Sequence, residues 1–441
     1  NYMICLKTIQ AGLFLSLIAE KTEAIRMNYI ETLGKKAKCA EPFIASAQTD
    51  TKNAALVSIA DALISNTQLI IENNKLDLEN AVKNNMSEAM QDRLLLNESR
   101  IKGIADAVLK LAEAEDVIGS VDCGFVRPNG LKISKTRVPL GVIGIIFESR
   151  PNVTVDAATL CLKAGNAVIL RGGKEAINSN KCLADVMRGA VKAAGLPEDV
   201  IQLIEDTSRE TASQLMKMNG YLDVLIPRGG AGLIQAVISQ ATVPVIETGT
   251  GNCHVYVDDS ADIEMAADIV ENGKTQRPSV CNAVEGLLIH KDIAKKALPV
   301  IKERLDGHNV EIRGCERTAE ILGDCVIAAS ESDYGTEFLD YIISVKVVDS
   351  IDEAIDHIAK YGTKHSEAIV TKSLENAERF QRMVDAAAVY VNASTRFTDG
   401  GEFGFGAEIG ISTQKLHARG PMGLRELTTV KYLINGSGQI R

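Results

Sequence analysis

The first third of the chain carries apolar residues at helical spacing. They recur every three or four positions from 53 to 71 and again from 92 to 118, which predicts one amphipathic helix over each range. After Arg137 the pattern changes to short runs rich in Val and Ile, each followed by a helical stretch. These runs cover 141–147, 167–170, 201–204 and 223–226. Strands that alternate with helices predict a mostly parallel sheet covered on both faces.

A second series of such runs begins after residue 247. Its members cover 255–257, 286–289, 344–348, 368–370 and 388–391. A chain of 441 residues is also too long for one compact core, because single cores stop growing near 250 to 300 residues. We therefore predict two α/β domains in tandem, with a boundary near residue 247.

Composition narrows the possible partners. The formal net charge is −10, aromatic residues make up 4% of the chain, and Trp is absent. Nucleic acids and anionic membranes bind positive surfaces, so neither is expected as a partner. The nine cysteines show no C-x-x-C spacing and the six histidines no H-x-x-x-H pattern. This usage predicts reduced thiols in the cytoplasm and no metal site.

Residues 1–26 differ from the rest in composition. Positions 11–19 are almost entirely apolar, and a single Lys precedes them. Nine residues cannot span a bilayer, although a secretory signal is an alternative. We expect an uncertain N-terminal extension, with Met27 opening the protein proper.

The segment 274–285 offers a candidate nucleophile. Cys281 follows Arg277 and Pro278 in a predicted loop. Nearby cations and exposed backbone N–H groups would lower the pKa of a thiol and supply the reactive thiolate. The alternative is an inert buried cysteine. Arg277 could likewise pair with a structural carboxylate such as Glu285.

The segment 147–154 lies where a predicted buried strand ends and a helix begins. Ligands in open α/β sheets gather at the carboxyl ends of strands, so the side-chain amide of Asn152 could donate to a developing oxyanion. Arg150, two residues earlier, supplies a cation. The alternative is that Pro151 and Asn152 only turn the chain.

Two further strand ends run into glycines. Arg171 and Lys174 flank one glycine pair, and Gly229 and Gly230 form another one strand later. Free backbone N–H groups and cations at a helix start suit a phosphate. Neither segment matches a G-x-G-x-x-G or G-x-x-x-x-G-K-[ST] fingerprint, so glycines that only permit close packing are an equal alternative.

Taken in order, the chain's motifs resemble the aldehyde dehydrogenase superfamily, in particular its branch that reduces glutamyl 5-phosphate in proline biosynthesis. The likeness runs from about Met27 to the C terminus. The segments that carry it are 147–152, 171–174, 228–232, 244–254, 277–282, 398–410 and 417–423. The resemblance implies that Cys281 is the nucleophile and Asn152 the side-chain half of an oxyanion hole, with the backbone N–H of Cys281 as the other half. Arg150 and Arg277 would hold the phosphate.

The same resemblance implies a nicotinamide cofactor. Arg171 and Lys174 stand where the wider superfamily has a Lys and then a ribose-binding Glu. An ammonium in place of that carboxylate removes repulsion toward a 2′-phosphate, which implies NADP(H). Gly229 and Gly230 would also bind the cofactor, and Glu337 would be a nicotinamide-ribose ligand. Glu247 stands where hydrolytic relatives keep a base that activates water, so its role is open, and a structural carboxylate is the alternative.

The implied fold is aldehyde dehydrogenase-like α/β, with two doubly wound Rossmann-like domains and a small β arm. The NADP-binding domain would comprise 27–123 and 141–246, and the catalytic domain 247–415. The arm, 124–140 with 427–441, would pack on a second subunit and form a homo-oligomer. Glutamate 5-kinase, which supplies the labile substrate, is an implied partner. A CoA-acylating aldehyde dehydrogenase and a catalytically silent NADP-binding scaffold are the two rival interpretations.

Overall fold

The computed structural model describes residues 29–441, so the expectations for residues 1–26 lie outside the described residues. The chain divides into two compact units between residues 246 and 247. The second unit is Glu247–Met422, and the first takes in the preceding chain together with Gly423–Arg441. Each unit contains its own sheet of parallel strands with helices around it.

The helices share apolar faces that pack on these sheets or on one another. They are α1 (29–45), α2 (Thr49–Ser65), α3 (Thr67–Lys83), α4 (Glu88–Leu94), α5 (Glu98–Glu113), α6 (Asn152–Lys163), α7 (Ile177–Ala193), α8 (Arg209–Leu215), α9 (Ala231–Gln240), α10 (Ile263–Thr275), α11 (Lys291–Asp306), α12 (Glu316–Leu322), α13 (Ile351–Tyr361) and α14 (Leu374–Met383).

The strands fall into four sheets. They are β1 (Val121–Val126), β2 (Lys132–Pro139), β3 (Val142–Phe147), β4 (Ala167–Arg171), β5 (Ile201–Leu203), β6 (Val224–Arg228), β7 (Cys253–Val257), β8 (Val284–His290), β9 (Glu311–Gly314), β10 (Ile327–Ala328), β11 (Ile342–Val348), β12 (Ser366–Val370), β13 (Ala388–Val391), β14 (Ile411–Ser412), β15 (Gly420–Pro421) and β16 (Thr428–Asn435).

The helix predicted over 53–71 is wrong as a single element. The chain breaks at Asn66, whose side-chain amide donates to the Ala62 carbonyl at 2.8 Å, while the Thr67 hydroxyl donates to the Ile64 carbonyl at 2.8 Å. Such local bonds compete with helix continuation. Between residues 29 and 441 no single helix is long and apolar enough to cross a membrane, although α2 and α3, bent by 69°, together reach that length and composition.

The helix predicted over 92–118 is also wrong in its bounds, because α4 ends at Leu94 and α5 covers only Glu98–Glu113. The side-chain oxygen of Asn97 accepts a hydrogen bond from the Arg100 N–H at 2.9 Å. This is an N-cap, and it starts a new helix at Glu98.

The sheet of the first unit has the order β5-β4-β3-β6, with all strands parallel. Strands β3 and β4 are buried on both faces, and Val142, Ile146 and Ile169 pack against Leu215 and Val237 of the helices. The order proceeds from β3 through β4 to β5 and then reverses to β6. Such a reversal opens a crevice at the carboxyl ends of β3 and β6, where ligands of this class of sheet bind.

A three-stranded antiparallel sheet joins the hairpin of β1 and β2 to the C-terminal strand. Pairing of β2 with β16 runs from Pro139 opposite Thr428 to Lys132 opposite Asn435. Several large apolar side chains on this sheet are exposed, and they include Phe125, Val126, Tyr432 and Ile434. The sheet therefore has little core of its own.

The sheet of the second unit has the order β10-β9-β11-β8-β7-β12-β13, with every pairing parallel. All five strands predicted after residue 247 are present. Strand β9 was not predicted because Glu311 and Arg313 interrupt its apolar residues, and β10 because two residues are too short to show a pattern. The predicted α/β class is confirmed.

The buried side chain of Asn166 ties the C-terminal segment to the sheet of the first unit. Its oxygen accepts from the Gly141 N–H at 2.9 Å, and its amide donates to the Leu427 carbonyl at 2.9 Å. We expect Asn166→Ala to lower the free energy of unfolding of this unit by about 2 to 4 kcal/mol, because two buried backbone groups lose their partners. Thermal melting compared with Asn80→Ala, an exposed asparagine, checks this. Equal melting temperatures for the two variants would contradict it.

Candidate functional site

Cys281 lies in the loop between α10 and β8 and is half-buried. Most other cysteines of the described chain have different settings, although Cys315 is half-buried like Cys281. Burial raises the pKa of the Cys161 thiol and also that of the Cys253 thiol. Cys39, Cys123 and Cys325 are exposed. Cys281 thus combines a loop position with partial access to solvent.

The backbone of Gly251 packs directly on Cys281. A Cβ atom added at Gly251 would overlap the carbonyl group of Cys281, so only glycine fits here. The N–H of Gly251 donates to Oε1 of Glu337 at 2.7 Å, and the Cys253 thiol donates to the Cys281 carbonyl at 3.2 Å. One short segment therefore contacts both the candidate nucleophile and Glu337.

Glu337 and Glu247 occupy the same edge of the second sheet as Cys281. Each residue precedes a strand: Glu247 precedes β7, Cys281 precedes β8, and Glu337 precedes β11. Parallel strands place these residues at the amino edge. Burial raises the pKa of Glu337, although the hydrogen bond from Gly251 opposes this. The backbone N–H of Glu247 donates to the side chain of Gln414 at 3.2 Å.

A buried ion pair closes the Cys281 loop at its base. Lys274 Nζ lies 2.6 Å from Oε2 of Glu285, and both side chains are fully buried. Oε1 of Glu285 also accepts from the Leu339 N–H at 3.2 Å, which links the loop to the segment of Glu337. Burial raises the pKa of Glu285 to about 7, although Lys274 opposes this.

The proposed pairing of Arg277 with Glu285 is wrong, because Lys274 occupies that carboxylate. The Arg277 side chain is exposed, and no carboxylate within residues 29–441 forms a salt bridge with it. Its charge therefore remains available to a ligand.

Arg396 is a residue of this site that sequence reasoning missed. Its Nε donates to the side-chain oxygen of Gln276 at 3.0 Å, and its Nη1 donates to the side-chain oxygen of Asn282. The Asn282 amide in turn donates to the Thr398 carbonyl at 2.9 Å. Arg396 thus binds the Cys281 loop both before the cysteine, at Gln276, and after it, at Asn282. Its position just before the glycine-rich stretch at 398–410 was the available signal.

Asn152 opens helix α6 at the carboxyl end of β3 in the first unit. Its amide donates to Oδ2 of Asp156 at 2.9 Å, which leaves the second N–H of that amide for another acceptor. Burial raises the pKa of Asp156 to about 6, although Asn152 opposes this. The turn before the helix contains Ser149 with φ of 28°, a strained conformation of the kind found at functional turns. Arg150 follows it and is half-buried.

Arg171 and Lys174 lie at the carboxyl end of β4, beside β3. Nη2 of Arg171 donates to the carbonyls of Thr207 and Ser208 at 2.6 and 3.2 Å. Its Nε is buried and lacks a hydrogen-bond partner among the described residues, and burial lowers its pKa. Lys174 is exposed at the start of a short 3₁₀ turn. The two cations thus share one sheet edge with Asn152.

Gly229 and Gly230 follow β6 and lead into α9. The N–H of Gly230 donates to Oε2 of Glu148 at 2.9 Å, and a Cβ atom at Gly229 would collide with the same carboxylate. A phosphate at this helix start would have to displace Glu148. The geometry therefore favours the close-packing role for Gly229.

The chain matches a family model and, over most of its length, several known proteins. A model of the aldehyde dehydrogenase family matches residues 19–319. The γ-glutamyl phosphate reductase of Clostridium perfringens is 62% identical over 408 residues, which cover 92% of this chain and 98% of the relative. The crystal structure of γ-glutamyl phosphate reductase from Thermotoga maritima is 51% identical, with a TM-score of 0.91, and covers 93% of this chain and 99% of that one.

A more distant structure shares the fold alone. It is an engineered glycolyl-CoA reductase with bound NADP⁺, 18% identical with a TM-score of 0.66, covering 92% of this chain and 96% of that one. Together these matches confirm the predicted aldehyde dehydrogenase-like fold.

The contact between Gly251 and Cys281 can be tested by one substitution. We expect Gly251→Ala to remain folded, to lower turnover more than about 100-fold, and to slow alkylation of Cys281, since backbone atoms must move to admit the methyl group. Gly189→Ala is the control, because nothing lies within 4 Å of a Cβ atom there. An unchanged alkylation rate of Cys281 in Gly251→Ala would show that the loop can accommodate the methyl group without any effect on the cysteine.

Proposed function

We propose that this chain reduces L-glutamyl 5-phosphate with NADPH to L-glutamate 5-semialdehyde and phosphate, the second step of proline biosynthesis from glutamate. The chain belongs to the aldehyde dehydrogenase family and, within it, to the γ-glutamyl phosphate reductases. The observation that carries the proposal is the 62% identity over 98% of the Clostridium relative. At the coarser level, the chain is an oxidoreductase of a family that uses nicotinamide cofactors.

Cys281 is the proposed nucleophile, and its setting supports that role. Its thiolate attacks the acyl carbon, a C–S bond forms, and the C–O bond to phosphate breaks. The product is a thioester on Cys281. NADPH, which Arg171 and Lys174 would hold, would supply the hydride that reduces it. The resulting thiohemiacetal collapses to the aldehyde and returns the thiolate.

Both tetrahedral species in this sequence carry an oxyanion. The backbone N–H of Cys281 and the side chain of Asn152 are the proposed donors, and the resemblance of both segments to the family supports the assignment. Asn152 uses one N–H for Asp156 and retains the other. Loss of one such donor typically lowers the rate by about 10² to 10³.

Arg171 and Lys174 fit an NADP phosphate. Arg171 has a buried Nε without a described partner, and it lies at a strand end where dinucleotides bind in sheets of this class. Carboxylates are also near, since Glu175, Asp206 and Glu148 act to raise the pKa of Arg171 against its burial. An added anionic phosphate would be held by the guanidinium and by the exposed Lys174.

Glu337 is proposed as the ligand of the nicotinamide ribose, and its hydrogen bond from Gly251 fixes one carboxylate oxygen. Glu247 receives no step in this mechanism, because water is not a substrate of a reaction that releases phosphate. A structural carboxylate remains its proposed role.

The three-stranded sheet suggests how the protein assembles. Its exposed apolar side chains and small core support packing on a second copy, so we propose a homo-oligomer built on this arm. Glutamate 5-kinase is the proposed source of the labile acyl phosphate, and the cytoplasm is the proposed location.

The decisive assay runs the reaction backward, as NADP⁺-dependent oxidation of glutamate 5-semialdehyde with phosphate supplied or withheld. We expect full dependence on phosphate, and we expect Cys281→Ala to bind NADPH but lose turnover. Cys315→Ala is the matched control, because that cysteine is also half-buried. Full activity without phosphate, or stimulation by CoA in its place, would rule the proposal out in favour of a CoA-acylating enzyme. A Cys281→Ala variant with full turnover would remove the assigned nucleophile.

Cofactor choice is tested by charge reversal at Lys174. We expect Lys174→Glu to weaken NADPH at least about 10-fold more than NADH, because a carboxylate would face the 2′-phosphate. Fluorescence titration with each cofactor measures the two dissociation constants. Lys110→Glu, at an exposed position on α5, controls for the change in net charge. An equal loss for both cofactors would indicate a structural lysine.

A further inference from the structure

Arg396 is a cation without a carboxylate partner. The side chain is half-buried, yet no salt bridge joins it to any carboxylate in the part of the chain that the structure describes. Its two side-chain acceptors, on Gln276 and Asn282, are neutral amide oxygens. A cation that is partly removed from water and hydrogen-bonded only to neutral groups favours an added anion, because an anion offsets its lost hydration.

The charges around Arg396 indicate where that anion would lie. Burial lowers the pKa of Arg396, the positive charge of Arg277 lowers it further, and the thiol of Cys281 acts in the opposite direction. Asp399 and Cys253 also act to raise it. Arg396 bonds to Gln276, the neighbour of Arg277, and to Asn282, the neighbour of Cys281, so both arginines lie near the cysteine. Like charges close together repel unless an anion lies between them.

The guanidinium is oriented as well as charged. Arginine has five N–H donors in a planar fork. The contacts to Gln276 and Asn282 use Nε and one hydrogen of Nη1. The remaining donors sit on a group anchored at both sides of the Cys281 loop, and such a fork matches the oxygens of a phosphate.

We propose that Arg396, together with Arg277, forms the anion subsite of Cys281 and holds the phosphate group of the acyl phosphate as it leaves. This inference rests on the proposed function and names a further catalytic residue for it. Arg277 is exposed, whereas two hydrogen bonds orient the guanidinium of Arg396, so Arg396 supplies the fixed part of the subsite.

The Cys281 thiolate forms a C–S bond to the acyl carbon, and the C–O bond to phosphate breaks with its electron pair on oxygen. Phosphate leaves as an anion held by the two guanidinium groups, and it takes a proton from solvent when it is released. In the reverse direction the same cations position phosphate for attack on the thioester and place the Cys281 sulfur beside positive charge.

Arg396→Met and Arg396→Lys test the subsite in the semialdehyde oxidation assay. We expect the KM for inorganic phosphate to rise about 10- to 100-fold in Arg396→Met, as is typical for loss of hydrogen bonds to a charged group. Arg396→Lys keeps the charge but loses the fork, so its KM should rise less. Arg317→Met is the control, since Arg317 is also half-buried in the second unit and pairs with Asp349 at 2.7 Å.

A second measurement separates charge from mere structure. The rate of iodoacetamide alkylation of Cys281 should keep its plateau in Arg396→Met, while its pH midpoint should move upward by about one unit, because a cation that favours the thiolate is gone. A loop displaced by the substitution would lower the plateau and leave the midpoint in place.

The outcomes divide clearly. If the parent protein oxidises the semialdehyde equally well without phosphate, the proposed function fails. If the parent requires phosphate but Arg396→Met keeps its KM for phosphate and its alkylation midpoint, only the role of Arg396 is overturned. Should Arg396→Met not fold, Arg396→Lys decides the matter, and a KM for phosphate equal to that of the parent would overturn the inference.

Discussion

The close approach of two backbones, at Gly251 and Cys281, organises the site of the second unit. Strands β7 and β8 are parallel neighbours, and the segments that precede them must cross within backbone contact. Glycine permits this because it has no Cβ atom. The same crossing lets Gly251 reach the Glu337 carboxylate and lets the Cys253 thiol reach the Cys281 carbonyl. A single absent side chain thus fixes the positions of a thiol and a carboxylate relative to each other.

The two units use opposite edges of their sheets. In the first unit Asn152, Arg171 and Gly229 follow strands and lie at the carboxyl edge, where the reversal of strand order opens a crevice. In the second unit Cys281 and Glu337 precede strands and lie at the amino edge. The rule that ligands bind at the carboxyl ends of strands does not apply to residues at the amino edge. Those residues are held in place by specific side-chain contacts. The bonds of Arg396 and the pair of Lys274 with Glu285 provide such contacts.

The sequence predicted the fold more completely than the site. Runs of Val and Ile identified every strand of four residues or more except β9 and the antiparallel strands β1, β2 and β16, because buried parallel strands are continuously apolar. Helix ends were less predictable, since the break at Asn66 depends on side-chain bonds to nearby carbonyls. Cys281 carried a local signal in the neighbouring Arg277 and Pro278. Arg396 carried only its position just before the glycine-rich stretch at 398–410, because its role depends on contacts with Gln276 and Asn282, which lie far away in the chain.

The buried pair of Lys274 and Glu285 constrains how this protein can change over evolutionary time. Removing either partner alone leaves the other charge buried without a partner, which typically lowers the stability of the folded protein by about 3 to 5 kcal/mol. Replacing both partners with apolar groups of similar volume is often neutral. A substitution at either position alone is therefore expected to destabilise the protein, whereas a simultaneous substitution at both positions need not. Lys274 and Glu285 should therefore evolve as a unit, so that proteins descended from this chain keep both residues or replace both.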